Sequence, residues 1–396
     1  MWFRAFLISW ALFFTAILLW MATHKSSDPT ILGRYSASYF IFLIGITGSV
    51  LLLVSAQFSP IYPYLHKRKE NIILFVSSIL VSMTLTEVGI RMMDPFGISY
   101  LEETNKYHLD KIPDDSLIYK HQPGLKKVYQ KVEVTTNEMG LRERSLQKKQ
   151  MGELRLLLLG DSITFGWGVP EEHTFSRKLE AILRMKLDRN VTTINSGVGS
   201  YNTLQEYNFL QHYFDTLQPD MISLLYNSND IQPVDLPFDP WSKKSFRGKS
   251  PPETINLLLR KIWLCRLFIY YPLELAAYTQ ATEAHSVDTR SVGRNQSMSY
   301  LQKMARFCRD RNIPFAIFYY QGIGGMTKLD HSLFTEITGI GKNFGFHVFK
   351  VKAYHTESEI PAIINSKIDP HPNRYGHQNL ADTMATRLLE YGLIPL

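Results

Sequence analysis

Three long apolar runs occupy the first ninety residues and constrain the fold more than any other feature of the sequence. Residues 5–22 and 38–58 contain no charged side chain over 18 and 21 positions, and residues 71–86 add 16 more before Glu87. A helix needs roughly 20 apolar residues to cross a bilayer, in a range of about 17–25. The third run reaches that length if Glu87 lies near the headgroups, where a basic residue one turn later can pair with it. The sequence therefore predicts a membrane anchor of three transmembrane helices over residues 1–93.

Two alternatives apply to these runs. The first run resembles a signal peptide, but no small-x-small cleavage site follows Met21 and two more runs come after it. Buried helices of a soluble domain fit less well, because three such runs follow one another with only short polar gaps. We therefore retain the membrane anchor as the prediction.

Basic residues in the short loops predict the orientation of the anchor. Arg4 precedes the first run and residues 67–69 form a Lys-Arg-Lys cluster between the second and third runs, whereas the opposite loop holds only Lys25 and Arg34. Short loops rich in Lys and Arg stay in the cytoplasm. The large C-terminal part is therefore expected on the other side of the membrane, in the periplasm or outside the cell.

The net charge of the chain does not indicate a nucleic-acid partner. Of the formal +7, residues 1–93 contribute +4, and the other 303 residues contribute only +3. That larger part has no basic run with interleaved aromatic residues, which is the usual footprint of DNA or RNA binding. Two cysteines are too few for a disulfide framework or a four-cysteine zinc site, and no grouping of His, Asp and Glu has metal-ligand spacing.

After the anchor, the sequence divides into a connector and a larger domain. Residues 94–150 are polar and poorly periodic, with turn signals such as Gln122-Pro123-Gly124, and are interpreted as a connector with short strands around 127–135. Over residues 151–396, short apolar runs alternate with helical stretches, which indicates an α/β fold with a parallel sheet covered by helices on both faces.

Ten secondary-structure elements are predicted in the larger domain, five strands and five helices. The apolar runs are residues 154–159, 191–194, 221–226, 315–319 and 347–351. The helical stretches are roughly residues 173–187, 203–216, 297–311, 331–343 and 376–391. Residues 235–295 interrupt this rhythm and hold an apolar helical piece at about 254–279. They are interpreted as an insertion over or beside the site, with an extra packing helix as the simpler alternative.

Four polar segments are expected at the edge of the predicted sheet where parallel α/β folds bind their ligands. They are Gly160-Asp161-Ser162 after the first strand, the loop from Asn195 after the second, Asn229-Asp230 after the third, and Asp369-Pro370-His371 before the last helix. Each has an ordinary explanation, since Asp, Ser and small residues are common where loops lead into helices. Together they supply a hydroxyl nucleophile, a base with an orienting carboxylate, and amide donors, which is the set needed for acyl transfer.

These segments occur in the order of the four sequence blocks of the SGNH (GDSL) hydrolase superfamily, which the chain resembles over about residues 154–391. Residues 136–142 also resemble the lead-in of membrane-anchored bacterial members. The resemblance implies a three-layer α/β/α, flavodoxin-like parallel sheet behind the three transmembrane helices. It also implies a serine esterase that needs no cofactor.

The resemblance implies a role for each matching residue. Ser162 would be the nucleophile, His371 the general base, and Asp369 the carboxylate that orients the imidazole. The oxyanion hole would be formed by the backbone N–H groups of Ser162 and Ser200 together with the side-chain amide of Asn229.

The sequence departs from the family pattern at three positions. The oxyanion Gly of the family falls on Ser200, with Gly199 one place earlier as the alternative donor. The usual Gly of the third block is Asn227, which can alter the shape of that loop. The Asp and His of the fourth block are two residues apart instead of three, so another carboxylate or a backbone carbonyl is the alternative partner of the ring. His377, at the start of the last helix, is the competing base, although His there is more often structural.

The sequence thus predicts a membrane-anchored serine esterase or acyl (acetyl) hydrolase that acts outside the cytoplasm. Its substrate would be an acylated or acetylated ester, carried by a glycan or a lipid. An O-acyltransferase that passes the acyl group to a cell-envelope polysaccharide would use the same residues. A non-catalytic, membrane-bound component of envelope assembly is the rival from another class, and competent side chains in all four segments argue against it.

Overall fold

The described part of the chain forms two compact units. The structure, a computed structural model, describes residues 2–23, 37–58, 61–94, 98–232, 261–265, 268, 287–366 and 368–394. One unit comprises Met1–Ile98 with Pro240–Gln280, and the other comprises Ser99–Asp239 with Ala281–Leu396.

The N-terminal unit is helical. Its helices are α1 (Trp2–Thr23), α2 (Ala37–Phe58), α3 (Ile61–Lys67) and α4 (Lys69–Met93). Among the described residues, α4 alone is long and apolar enough to cross a bilayer, and the apolar stretches Phe3–Leu19 and Leu43–Ser55 are shorter. The expectation of three transmembrane helices is therefore not confirmed, and one candidate span is found.

A short described piece of the predicted insertion lies against α4. The backbone N–H groups of Trp263 and Leu264 donate to the Glu87 carboxylate at 2.9 and 2.8 Å. Arg91, one turn after Glu87, donates to the same carboxylate at 2.7 Å, which is the pairing expected from the sequence. Most of the predicted insertion, including nearly all of residues 254–279, lies outside the described residues.

The connector is more regular than its sequence indicates. It contains α5 (Ile98–Leu109) and two antiparallel hairpins, β1 (Lys111–Asp114) with β2 (Ile118–His121) and β3 (Lys126–Tyr129) with β4 (Val132–Thr135). The second hairpin matches the strands predicted around 127–135, whereas α5 and the first hairpin were not predicted. Gln130 and Lys131 have positive φ of 50° and 63°, the conformation of a tight two-residue turn, which usually requires Gly or Asn.

A five-stranded parallel sheet forms the centre of the larger unit. Its strands are β5 (Leu154–Leu159), β6 (Val191–Asn195), β7 (Met221–Tyr226), β8 (Phe315–Tyr320) and β9 (His347–Val351), in the order β6-β5-β7-β8-β9. All four pairings are parallel. This is the flavodoxin-like order, so the predicted α/β fold with a flavodoxin-like parallel sheet is confirmed. Every residue of β5, β7 and β8 is buried, which explains the unbroken apolar runs.

Helices cover both faces of the sheet. They are α6 (Ser162–Phe165), α7 (Phe175–Leu187), α8 (Thr203–Leu217), α9 (Val287–Arg309), α10 (Lys328–Phe344), α11 (Ile360–Ile363) and α12 (Arg374–Glu390). Alternate residues of β5 point to opposite faces, so Leu156 joins a core with α7 and α12, and Leu157 joins a core with α8, α9 and α10. Helix α9 begins ten residues before the predicted helix, inside the stretch assigned to the insertion. The strand order reverses at β5, and a ligand crevice is expected beyond its carboxyl end.

Candidate active site

Ser162 begins helix α6 directly beyond the carboxyl end of β5. Gly160 has a φ of 150°, and a Cβ atom there would come within 2.1 Å of the Thr164 hydroxyl oxygen, so this turn requires glycine. Asp161 is the N-cap of α6, and its Oδ1 accepts a hydrogen bond from the Ile163 N–H at 3.0 Å. The local sequence therefore holds the Ser162 hydroxyl at the edge of the sheet.

The Ser162 hydroxyl, the His371 ring and the Asp369 carboxylate form a continuous chain of contacts. Ser162 Oγ lies 2.9 Å from His371 Nε2, and His371 Nδ1 lies 2.6 Å from Asp369 Oδ1. A carboxylate only accepts, so Nδ1 carries the proton and Nε2 is left as the acceptor for the serine hydroxyl. The structure thus brings together the three side chains that the sequence selected from the first and fourth segments.

A compact loop before α12 positions the Asp369 carboxylate. Asp369 is almost fully buried, its N–H donates to Ser366 Oγ at 2.9 Å, and its Oδ2 accepts from Asn365 Nδ2 at 3.1 Å. The His371 N–H also donates to Asp369 Oδ1 at 3.2 Å. The shorter Asp-x-His spacing is therefore compatible with direct contact between the carboxylate and the ring.

His377, the competing base, lies elsewhere. It is fully buried in α12, its Nδ1 accepts from the Phe175 N–H at 3.0 Å, and its ring stacks on the Phe175 ring with centroids 5.9 Å apart. Burial lowers the pKa of His377 to about 3, so the ring is neutral at physiological pH. These contacts assign His377 to the packing of α12 on α7.

The loop after β6 presents one unpaired backbone donor. Ser200 adopts a left-handed conformation with a φ of 66°, which explains why the family uses glycine there. The Gly199 N–H donates to the Tyr107 hydroxyl at 2.7 Å, so the alternative donor is already occupied. Within the part of the chain that the structure describes, the N–H groups of Ser162 and Ser200 have no hydrogen-bond partner.

The Asn229 side chain reaches the same edge from the loop after β7. Its Nδ2 donates to Asp161 Oδ2 at 2.8 Å, and Asn227 Nδ2 donates to the same oxygen at 3.0 Å. The side-chain oxygen Oδ1 of Asn227 accepts from the Asn229 N–H at 3.0 Å, which caps the turn Ser228–Ile231. Asn227, in place of the family glycine, thus fixes the loop that carries Asn229.

Two supporting residues, Asp161 and Arg142, were given no role from the sequence. Asp161 joins the first and third segments through the two amide contacts. Arg142 is almost fully buried and donates to the carbonyl oxygens of Phe165, Gly166 and Val169 at 3.0, 2.6 and 2.6 Å, which satisfies the groups that follow α6. Arg142 belongs to the stretch 136–142, which resembles the lead-in of membrane-anchored family members, and this was the one sequence feature that could have marked it.

The flavodoxin-like sheet and the chain of hydroxyl, imidazole and carboxylate are typical of serine hydrolases. Residues 158–330 match the model of the GDSL-like lipase/acylhydrolase family, so this stretch is similar to the SGNH (GDSL) hydrolases. The match confirms the resemblance and the predicted enzyme class, a hydrolase that acts on ester bonds. The matched region includes the first three of the four segments. No curated protein matches the chain.

Three of the solved structures to which the chain is similar are esterases of low sequence identity. Esterase EstA from Pseudoalteromonas sp. is 12% identical, with 60% of this chain and 97% of that one covered and a TM-score of 0.37. An acetyl xylan esterase, AlAXEase, is 13% identical over 59% of this chain and 100% of that one, with a TM-score of 0.36. The SGNH-hydrolase family esterase AlinE4 is 15% identical over 61% and 98%, with a TM-score of 0.33.

Proposed function

We propose that the protein is a membrane-anchored serine esterase that acts outside the cytoplasm through an acyl-enzyme on Ser162. The observation that carries the proposal is the 2.9 Å separation of Ser162 Oγ and His371 Nε2, with Asp369 2.6 Å from the other ring nitrogen. These separations lie within the range in which a base takes a proton from a nucleophile.

In the proposed reaction, Ser162 Oγ gives its proton to His371 Nε2 and attacks the carbonyl carbon of an ester. The negative charge that develops on the carbonyl oxygen is stabilised by the Ser162 and Ser200 N–H groups and the Asn229 amide. His371 then returns the proton to the leaving alcohol, and the acyl group stays on Ser162. A water molecule, activated by the same ring, releases the acid and restores the serine.

Asp369 acts through the histidine. Its carboxylate keeps the proton of the neutral ring on Nδ1 and stabilises the positive charge that the ring acquires in each half-reaction. Burial of the carboxylate, which is 1% exposed, strengthens this effect because little water screens the pair.

The membrane anchor is proposed to consist of three transmembrane helices over residues 1–93, with Arg4 and residues 67–69 on the cytoplasmic side. Support comes from α4, whose Leu74, Phe75 and Leu85 are each about two-thirds exposed, as lipid-facing residues would be. The hydroxyls on the same helix donate to backbone carbonyls one turn earlier, as Ser78 does to Leu74 at 2.7 Å and Thr84 to Leu80 at 2.8 Å. This removes the cost of placing hydroxyl groups in hydrocarbon.

We propose that the substrate lies outside the cytoplasm and is an acylated or acetylated ester of a glycan or a lipid. Ser–His chemistry itself accepts any activated acyl group, so the acceptor decides between hydrolysis and transfer. Release of the acyl group to water in the absence of carbohydrate supports the esterase. A strict requirement for added carbohydrate would make the protein an O-acyltransferase instead.

Covalent labelling of the full-length protein in membranes tests the nucleophile. A fluorophosphonate probe should label the wild-type chain and should not label Ser162→Ala. Ser145→Ala serves as the matched control, because that exposed serine donates its hydroxyl to Glu138 at 2.8 Å, away from the candidate site, and it should label like the wild type. A folded wild-type chain that never labels would contradict the enzymatic proposal and favour a binding role.

Thiol accessibility tests the topology. In a background with Cys265→Ala and Cys308→Ala, Met151→Cys should react with a membrane-impermeant maleimide in intact cells, since Met151 is fully exposed. Lys67→Cys should react only after the cells are opened. The reverse pattern would place the catalytic domain in the cytoplasm and contradict the proposed orientation.

A further inference from the structure

The side chain of Lys111 lies against the peptide unit that carries the Ser200 N–H. Lys111 is in β1 of the connector and is buried, and its Nζ donates to the Gly199 carbonyl oxygen at 2.5 Å. The Gly199 carbonyl and the Ser200 N–H belong to one planar, conjugated peptide group. A hydrogen-bond donor on that carbonyl oxygen draws electron density from the nitrogen, and linked hydrogen bonds strengthen one another. The Ser200 N–H therefore becomes a stronger donor.

Other connector side chains fix the remaining polar groups of the same loop. The Tyr107 hydroxyl accepts from the Gly199 N–H at 2.7 Å and lies 2.6 Å from His121 Nε2. The Tyr119 hydroxyl donates to the Ser200 carbonyl oxygen at 2.7 Å. Of the four backbone groups of Gly199 and Ser200, three are thus held by the connector, and the Ser200 N–H is the one left for a ligand.

The surroundings of Lys111 act on its charge in opposite directions. Its Nζ lies 4.5 Å from the ring centroids of both Tyr107 and Tyr119, and aromatic faces stabilise a cation. Burial lowers the pKa of Lys111 well below its usual value, and the Asp161 carboxylate opposes that shift. His108 Nδ1, 3.3 Å from Nζ, is a further acceptor.

We propose that Lys111 is a positioning residue for the oxyanion hole, which orients and polarises the peptide between Gly199 and Ser200. The inference rests on the proposed function, because it assigns the Ser200 N–H to the developing oxyanion. It also extends the catalytic machinery beyond the four family segments, into the connector.

Hydrolysis of p-nitrophenyl acetate by full-length variants tests the proposal. Lys111→Met keeps a long apolar stem and removes the donor, so kcat should fall about 10- to 100-fold with KM within about twofold. This is less than the loss of a whole oxyanion donor, which costs on the order of 10²–10³. Lys126→Met is the matched control, because the Lys126 side chain is 71% exposed, and it should keep the wild-type kcat.

A second reaction separates positioning from mere support of the fold. In a Ser162→Cys background, alkylation by iodoacetamide displaces iodide at a saturated carbon and forms no oxyanion. Adding Lys111→Met should therefore leave the alkylation rate unchanged. Equal losses in hydrolysis and in alkylation would show that Lys111 only holds the structure, and would overturn the proposal.

Two further outcomes keep the inference distinct from the proposed function. A wild-type chain that neither hydrolyses esters nor labels would contradict the proposed function itself. An active wild type with an equally active Lys111→Met would overturn only the role of Lys111. If Lys111→Met fails to fold, Lys111→Gln takes its place, because glutamine keeps a neutral donor. Its kcat should be intermediate between those of the wild type and of a variant without the donor. A wild-type kcat in Lys111→Gln would overturn the polarising effect.

Discussion

The two sides of the candidate site are held in different ways. On the base side, Asp369 and His371 are two residues apart, and the loop around them closes on itself, with the Asn365 N–H donating to the His371 carbonyl at 2.9 Å. On the oxyanion side, Gly199 and Ser200 are held by side chains that lie 81 to 92 residues earlier in the chain. The base side is thus a local structure, whereas the oxyanion side depends on the packing of a separate segment.

This difference determines how each side should respond to mutation. A local loop keeps its shape when one distant residue changes, so substitutions on the base side should act on the chemistry itself. On the oxyanion side, several side chains each hold part of the loop. Substituting any one of them should therefore lower kcat less than a substitution on the base side, and the effect should be distributed over more residues.

The largest effect is expected on the base side. Asp369→Asn replaces the acceptor of the Nδ1 proton by an amide that favours the wrong tautomer of His371, and kcat should fall by about 10⁴-fold. His371→Gln should cost a similar factor. Steady-state ester hydrolysis measures both, and the double variant should lose no more than the worse single one, because the two residues act as a unit. A loss below about tenfold in Asp369→Asn would mean that another group orients the ring.

An intermediate effect is expected for Asn229→Ala on the oxyanion side. The substitution removes one amide donor, so kcat should fall by about 10²- to 10³-fold while KM changes little. Asn208→Ala is the matched control, since the half-buried Asn208 amide lies outside the candidate site and donates to the Ser116 carbonyl at 2.7 Å. If Asn229→Ala costs as much as Asp369→Asn, the proposed difference between the two sides is wrong.

The smallest effect on activity is expected for His377→Asn. The side-chain oxygen of the new asparagine can still accept the hydrogen bond from the Phe175 N–H. At pH 7 kcat should stay within about threefold, because the ring does not contact Ser162. The pKa of His377 is about 3 in the folded protein and about 6.5 in an unfolded chain. Between these values the unfolded state binds a proton that the folded state does not, so this contribution to stability is lost as the pH falls.

Urea unfolding in detergent measures that contribution. At pH 7 the variant should be less stable than the wild type, and the gap in unfolding free energy should narrow by about 2 kcal/mol between pH 7 and pH 5. A gap that does not change with pH would show that the His377 ring binds a proton equally in the folded and unfolded states, and that burial does not lower its pKa. A kcat loss near 10⁴-fold in His377→Asn would instead indicate that His377 acts as the general base.

Much of the fold was predictable because burial on both faces of a parallel sheet leaves a plain signature. The apolar runs at β5, β7 and β8 coincide with the observed strands to within one residue. Helix α9 was predicted ten residues short at its start because its first turns, with Asp288, Arg290 and Arg294, carry no apolar stripe. The antiparallel hairpin β1–β2 was missed because each strand has only four residues and β1 contains Pro113.

The residues of the candidate site that would contact the substrate were predictable for a different reason. Ser162, His371 and Asn229 belong to short segments whose order is characteristic of a family. Lys111 and Tyr107 carry no such mark, since a buried lysine looks like a surface lysine until the chain is folded. Long-range support of this kind is visible only when the elements that carry it have been packed together.

The position of β1 has a practical consequence for work with fragments. Removing the apolar N-terminus is the obvious route to a water-soluble sample, and the first strand of the parallel sheet at Leu154 is a tempting place to start it. A fragment that begins there would retain Ser162 and His371 but lose Tyr107, Lys111 and Tyr119. Expression from about Ser99, the first residue of the larger unit, keeps all three, and the two fragments should differ in turnover although both contain every family segment.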